Sequence, residues 1–332
     1  MEMRALGKGQ PKVCPLGIGA MSFSDFYGAT DETASHAILR AAIEAGVTHI
    51  DTANVYGMGK SERAIGSFLK ANPGARDQFH IATKGGITRR ADGTRVFDNS
   101  REHLEAELDA SLSKLGVEAV DLFYVHRRDR TIPIEEVTGT LAGFVQAGKV
   151  KSIGFSEIAP SSLRRAHSVH PVAAVQSEYS LSTRAPEMGL VQTCAELGTA
   201  LVAFSPIGRS LLTDNPFSFD AVQEIAFLAT NPRFMQPNYD ANIAATDKLR
   251  ALASDMGIST AGLAIAWVLA QGEHVIAIPG TRSIRHFNEL LEGTRRALTP
   301  EDLAAIEAIL PVGWAHGDRY TDDQWNGPER YC

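Results

Sequence analysis

Short apolar runs alternate with longer amphipathic stretches along nearly the whole chain. Residues 31–46 (DETASHAILRAAIEAG) place Ala34, Ile38, Ala41 and Ala45 on one face and end in Gly46, which predicts a helix. The runs on either side, 15–22 (PLGIGAMS) and 47–52 (VTHIDT), read as strands. Further strands are expected over 80–84, 119–126, 152–156, 172–179, 201–206 and 275–280. Further helices are expected over 61–72, 100–116, 134–148, 160–169, 187–198 and 283–294, with Ser61 and Ser100 as N-caps. Eight strands, each with a helix after it, imply a parallel sheet, and at this length a closed (β/α)8 TIM barrel. An open dinucleotide-binding sheet is disfavoured, because GIGAMS at the end of strand one lacks the third glycine of G-x-G-x-x-G. No composition break marks a linker, so residues 1–332 read as a single domain.

Three segments fall outside the eight units. Residues 2–14 read as a β-hairpin turning at 7–10, placed to plug the bottom of the barrel. Residues 208–240 read as a long, structureless, Pro/Asn-rich insertion, of the kind that forms lids or clamps. The C-terminal segment 311–332, rich in Trp, Tyr, Gly and Asp, reads as a second lid.

Composition narrows the function classes. With 44% hydrophobic and 21% charged residues and a net charge of −7, the 332-residue chain has an ordinary soluble composition. No basic stripe is present, so no nucleic-acid partner is expected. Cys14, Cys194 and Cys332 are few and far apart, which argues against disulfides and a zinc site, and no metal is expected. The N-terminus lacks a signal-type apolar region, and the longest apolar run, 263–270, is too short to span a bilayer. A cytoplasmic location without membrane contact is the expectation.

The stretch DTANVYGMGKSE (51–62) contains Gly59-Lys60-Ser61, the tail of a phosphate-binding loop. That loop needs a glycine where Asn54 stands, so these three residues read as a turn and a helix cap. Asp51 and Tyr56 carry more. Asp51 ends strand two and Tyr56 follows it; Lys84 ends strand three and His126 ends strand four. Taken singly, each has an ordinary structural role: a solvated lysine, a satisfied histidine, a packing tyrosine. Together they occupy neighbouring strand ends on the face where β/α barrels carry active sites.

With those residues stand GIGAMSFSDFYG, TKGG, DLFYVHRRD, GKVKSIGFSE, VQSEYSL, AFSPIGRSLL and IPGTRSI. In these blocks the chain resembles the aldo-keto reductases over nearly its whole length. The resemblance implies a barrel holding an extended nicotinamide cofactor and a catalytic tetrad of Asp51, Tyr56, Lys84 and His126. Tyr56 would be the general acid, its pKa lowered by the Lys84 ammonium. Asp51 would hold Lys84, and His126 would orient the carbonyl oxygen. Met21, Ser156, Glu157 and Gln176 would reach the nicotinamide, and Phe204 would stack on its ring. Ser205, Pro206, Ile207, Gly208, Arg209, Ser210 and Leu212 would wrap the pyrophosphate. Gly280, Thr281 and Arg282, with His286 and Glu289, would hold the adenosine phosphate, favouring NADPH over NADH. Departures from the family pattern are Glu157 and Leu290, where Asn is frequent, and His286, where Arg is frequent.

Phe23, Phe26, Tyr27, Arg127 and Trp314, with Tyr320 and Trp325, are the expected pocket walls and suit an apolar or aromatic aldehyde or ketone. Arg127 and Arg128 would select an anionic group, or would be surface residues beside Asp129. The activity implied is NADPH-dependent carbonyl reduction. Two alternatives are a nicotinamide-binding regulatory subunit, similar to potassium-channel β-subunits, and a barrel isomerase or aldolase using Lys84 as a Schiff-base amine. The lack of a long segment before the barrel weighs against the first, and Asp51 with the cofactor motifs against the second.

Overall fold

The computed structural model describes residues 2–331. Eight parallel strands follow one another around the sheet in chain order. They are β1 (Ile18–Gly19), β2 (His49–Asp51), β3 (His80–Gly85), β4 (Leu122–Val125), β5 (Ile153–Ser156), β6 (Ala174–Glu178), β7 (Ala200–Phe204) and β8 (Val275–Ala277). Parallel pairing of Leu16 with Ala277 and bonds from Gly17 N to Ala277 O (2.8 Å) and Gly19 N to Pro279 O (2.9 Å) close the seam. The fold is therefore a (β/α)8 barrel. Strand β1 is much shorter than 15–22, because residues Ala20–Phe23 coil into a 3-10 turn. A side chain on Gly19 would stand 2.5 Å from the Ile278 carbonyl, so only glycine lets the seam close there.

The outer helices are α1 (Glu32–Ala45), α2 (Lys60–Ala71), α3 (Arg101–Leu115), α4 (Ile134–Gln146), α5 (Pro160–Val169) and α6 (Leu190–Leu197). After β7 come α7 (Asn238–Asp255) and α8 (Thr260–Leu269); after β8 come α9 (Ile284–Glu292) and α10 (Pro300–Ile309). Ser100 caps α3 as expected, accepting from the amide of His103 (3.4 Å), and Asp31 caps α1, accepting from that of Ala34 (2.8 Å). Ser61 does not cap α2. Gly59 occupies that position, and Ser61 lies inside the helix, its buried hydroxyl donating to Ala20 O at 2.7 Å. The apolar run 263–270 falls largely within α8, every residue of which is buried. No single described helix is long and apolar enough to cross a membrane.

The hairpin pairs Arg4–Ala5 with Lys12–Val13, and Leu6 and Val13 pack under the barrel with Ala173, Ala174 and Ala200. Gly7, at φ +104°, passes so close to Ala173 that a Cβ would meet its carbonyl at 2.4 Å. The insertion 208–240 is not structureless. It folds into short helical turns around Leu211, Val222, Ile225, Leu228, Phe234 and Tyr239, apolar residues scattered through a Pro/Asn-rich composition. A second hairpin, Ile87–Arg89 with Arg95–Phe97, rises from the end of β3.

The C-terminal segment lies across the mouth and is held by a buried ionic cluster. Arg319 donates to Glu157 Oε1 (3.0 Å) and lies 3.5 Å from Glu178 Oε2; Glu178 also accepts from Arg209 at 2.6 Å. Burial alone would raise the Glu157 pKa, but Arg319, with Arg127 and the Glu178 amide, outweighs it and brings the carboxyl from its ordinary 4.5 to about 2. A depressed carboxylate pKa contributes stability above the unfolded value and loses it as pH falls through the folded one. Acidification from about 4.5 towards about 2 should therefore release the tail, read as rising proteolytic susceptibility after residue 310. Arg319→Met should do the same at neutral pH and cost about 3–5 kcal/mol in urea unfolding, because it strands a buried carboxylate.

Candidate active site

Strand register builds the centre. Asp51 pairs with Ala82 and Lys84 with Tyr124, so the side chains of Asp51 and Lys84 rise from adjacent strands at the C-terminal end of the barrel. His126 follows β4, its amide bonded to Gly85 O at 2.8 Å. A turn closed by the Tyr56 N to Ala53 O bond (3.2 Å) brings Tyr56 back over β2. Lys84 is fully buried, and its ammonium donates to the Asp51 carboxylate, to Thr52 O (2.9 Å) and to the Tyr56 hydroxyl oxygen (3.2 Å). Gln176 donates to the second Asp51 oxygen at 2.7 Å. The Tyr56 and His126 rings meet edge-on at 5.8 Å.

These contacts set the protonation states. Burial pulls the Lys84 pKa down, but Asp51 and Tyr56 together more than offset it, so the group stays an ammonium. Burial pushes the Tyr56 phenol up, and Lys84 recovers only part of that shift. The expected net lowering of Tyr56 is thus not found, because desolvation outweighs the cation. Burial, reinforced by Arg127 and Lys84, drives His126 well below its ordinary value, leaving a neutral imidazole. Its Nδ1 has no protein hydrogen-bond partner. The centre therefore offers a protonated phenol and a neutral imidazole side by side, backed by a fixed cation.

A cleft of about 900 Å³ opens over this centre. Met21, Phe26, Tyr27, Asp51, Tyr56, His126, Arg127, Ser156, Gln176 and Phe204 line it, as do Ser205, Pro206, Ile207, Arg209 and Ser210. Gly280, Thr281, Arg282, His286, Glu289 and Tyr320 complete the set that the sequence pointed to. Ser205, Arg209 and Ser210 adopt positive φ (50°, 55° and 86°), which side-chain-bearing residues rarely do. Such reversals of handedness turn successive backbone amides into a concave anion nest. Arg282 ties the loop after β8 to the loop after β1, donating to the carbonyls of Tyr27 (2.9 Å), Gly28 (2.7 Å) and Ala29 (2.8 Å). Beside it starts α9, capped by Ser283, with Arg285 2.9 Å from His286.

Other expected residues stand elsewhere. Lys84 sits behind Tyr56 rather than on the cleft wall. Glu157 does not face the cleft, because Arg319, Ser177 and the Glu178 amide occupy its carboxylate. Phe23 is buried in the core, and Gly208 and Leu212 turn inward beneath the nest. Trp314 lies off the cleft, its indole N–H donating to Leu181 O at 2.7 Å. Arg128 turns away to Ile132 O (2.9 Å) and Glu329 (3.5 Å), and Trp325 packs edge-on behind Tyr320. Sequence reasoning missed the Gln176–Asp51 bond, the Arg319 anchor, the Phe227 wall against Phe26, and Arg89 and Arg95 on the second hairpin. Only the hairpin had a local signal, Asp92-Gly93 between ITRR and TRVF.

Comparison with known proteins places this geometry. The family model described as "Aldo/keto reductase family" matches residues 15–311. The chain is 37% identical over 321 residues to probable aldo-keto reductase 1 of Glycine max, covering 96% of this chain and 91% of that protein. Among solved structures it resembles a glycerol dehydrogenase from Gluconobacter oxydans, with a TM-score of 0.82, 27% identity and 93% and 94% of the two chains covered. It also resembles an aldo-keto reductase from Bacillus halodurans in its holo form, with a TM-score of 0.77, 25% identity and coverage of 98% and 99%. The protein belongs to the aldo/keto reductase family, whose chemistry is NAD(P)H-dependent carbonyl reduction.

Proposed function

We propose that the protein reduces an aldehyde or ketone to the alcohol with NADPH, and that Tyr56 delivers the proton. The observation that carries this reading is the Lys84 ammonium held between the Asp51 carboxylate and the Tyr56 hydroxyl at the floor of the cleft. The residues present fit a nicotinamide cofactor. The half-buried Phe204 ring supplies a stacking face, Ser156 and Gln176 supply polar groups beside it, and the 205–210 nest suits a pyrophosphate. The chemistry a bound nicotinamide supplies there is hydride for the carbonyl carbon.

The protein supplies the rest. Because Lys84 donates into the phenol oxygen, the Tyr56 O–H proton is directed elsewhere and can serve a carbonyl oxygen in the cleft. As that proton leaves, negative charge forms on an oxygen already bonded to an ammonium, so Lys84 contributes most at the moment of transfer. Asp51, secured by Gln176, keeps the ammonium in place. The neutral His126 offers a ring N–H to the same carbonyl oxygen and positions it. The raised Lys84 pKa speaks against a Schiff-base role, which needs a neutral amine. Preference for NADPH is supported by Arg282, Thr281 and the α9 N-terminus, which line the cleft.

Tyr56→Phe should lower kcat for carbonyl reduction about 100-fold or more, while the NADPH Kd measured by fluorescence titration stays within about threefold. Normal turnover by that variant would remove Tyr56 from the mechanism. The raised phenol pKa fixes the sign of the pH profile. The acid form persists through neutrality, so reduction should decline only above the ordinary tyrosine range; a decline centred near pH 7 would contradict it. Arg282→Ala should weaken NADPH about tenfold and NADH less than twofold; equal losses would show that the guanidinium only braces the 27–29 loop.

A further inference from the structure

The cleft carries cations that neither the proton relay nor the adenosine end uses. Arg127 follows His126 and is half-buried in the cleft wall; Arg89 and Arg95 face the same space from the hairpin after β3. One Arg127 nitrogen, Nη1, is anchored to His126 O (2.7 Å) and Ser156 Oγ (2.9 Å). Its other arm, Nη2, hydrogen-bonds among the described residues only to the Tyr320 hydroxyl, at 3.5 Å. Arg95 rests over the Phe97 ring at 5.5 Å, and Arg89 donates to Gly93 O within its own hairpin. Among the described residues none of the three has a carboxylate within ion-pair distance.

Most of the acids nearby are committed, and Asp323, the one that acts on Arg95, is exposed and beyond ion-pair distance. Asp51 holds Lys84, Glu107 bonds Asn54 and the Gly86 amide, and Glu157 is taken by Arg319. Arg127 and Arg95 also press on each other and on His126: burial and then Arg127 lower the Arg95 pKa, and both contribute to the lowering of His126. Asp323 offsets Arg95 only from a distance and Glu157 is already paired with Arg319, so an anion in contact with both guanidiniums would relieve their mutual repulsion.

Resting on the carbonyl-reductase reading, we propose that the preferred substrate is an aldehyde or ketone bearing an anionic oxy-acid group, a carboxylate or a phosphate. Arg127 Nη2 and Arg95 engage that group while the carbonyl oxygen lies at Tyr56 and His126. The hairpin thus sets specificity, and the arginine beside His126 links anion recognition to carbonyl placement. Guanidinium groups suit this task because they remain charged and offer paired donors to carboxylate or phosphate oxygens.

The experiment compares kcat/KM with NADPH for 4-carboxybenzaldehyde against benzaldehyde, and for glyceraldehyde 3-phosphate against glyceraldehyde. The expected result is a preference of about tenfold or more for the anionic member of at least one pair, carried mainly by KM. The first pair reports a carboxylate and the second a phosphate. Arg95→Gln should cut that preference about fivefold or more, and Arg127→Gln should do the same; 0.5 M salt should erode it in the wild type. A ratio near one in both pairs, or a ratio that neither variant moves, overturns the proposal while leaving carbonyl reduction standing. If no aldehyde is reduced, the reductase reading fails, and calorimetry with benzoate against benzamide then decides the anion site alone. Tighter benzoate binding that is lost in Arg95→Gln supports it, and equal binding overturns it.

Discussion

A single buried ammonium organises the centre of this barrel. Lys84 has no access to water, and an isolated charge in such a place carries a desolvation cost of several kcal/mol or more. It is tolerated because three acceptors surround it: the Asp51 carboxylate, the Thr52 carbonyl and the Tyr56 hydroxyl. Those acceptors come from β2 and its following turn, while the lysine comes from β3. The parallel register of those two strands therefore determines whether the charge is stable at all. A one-residue slip of either strand would turn its side chain to the opposite face of the sheet, away from its partner. Gln176, reaching from β6 to the far oxygen of Asp51, ties the cluster across the barrel interior.

A second buried ionic cluster shapes the mouth. Glu157 follows β5 and Glu178 ends β6, and three arginines converge on them: Arg209 from the loop after β7, Arg233 from the insertion and Arg319 from the tail. The tail and the insertion are thereby fixed to strand ends, so that Tyr320 and Phe227 become walls instead of loose ends. Arg209 also lies over both rings, 5.1 Å from Phe227 and 5.6 Å from Tyr320. Its backbone is one of the positive-φ positions beneath the cleft, a conformation costing on the order of 1–3 kcal/mol. The buried guanidinium–carboxylate bond to Glu178 helps hold that strained turn open towards the cleft.

These two clusters differ in how visible they are in the amino-acid sequence. Asp51, Lys84 and His126 each end an apolar run, so their convergence follows once eight strands are counted in order. The sign of the Tyr56 shift did not follow, because it depends on how completely the fold excludes water, which spacing does not encode. Glu157 shows the same limit. Its motif neighbours suggest a cofactor contact, yet a partner 162 residues away captures it. No local pattern links Glu157 to Arg319, since the tail is brought over the mouth by the whole fold. The insertion reads as structureless because proline and asparagine punctuate it, yet Leu211, Val222, Leu228 and Phe234, which follow no regular period, build a small core. Ser61 was misread for a simpler reason: a left-handed glycine was already supplying the start of α2.

The placement of charge along the cleft also separates two scales. The chain as a whole is acidic, with a net charge of −7, which taken alone would disfavour anionic ligands. That net field is screened within about 8 Å at physiological ionic strength, whereas a guanidinium in contact with an oxyanion acts inside that distance. Local arrangement therefore decides what the cleft accepts. Arg282, beside the start of α9, lines the same cleft as Arg127, Arg95, His126 and Tyr56. On the proposed reading, these guanidiniums would align a ligand whose anionic groups flank a carbonyl held at the phenol.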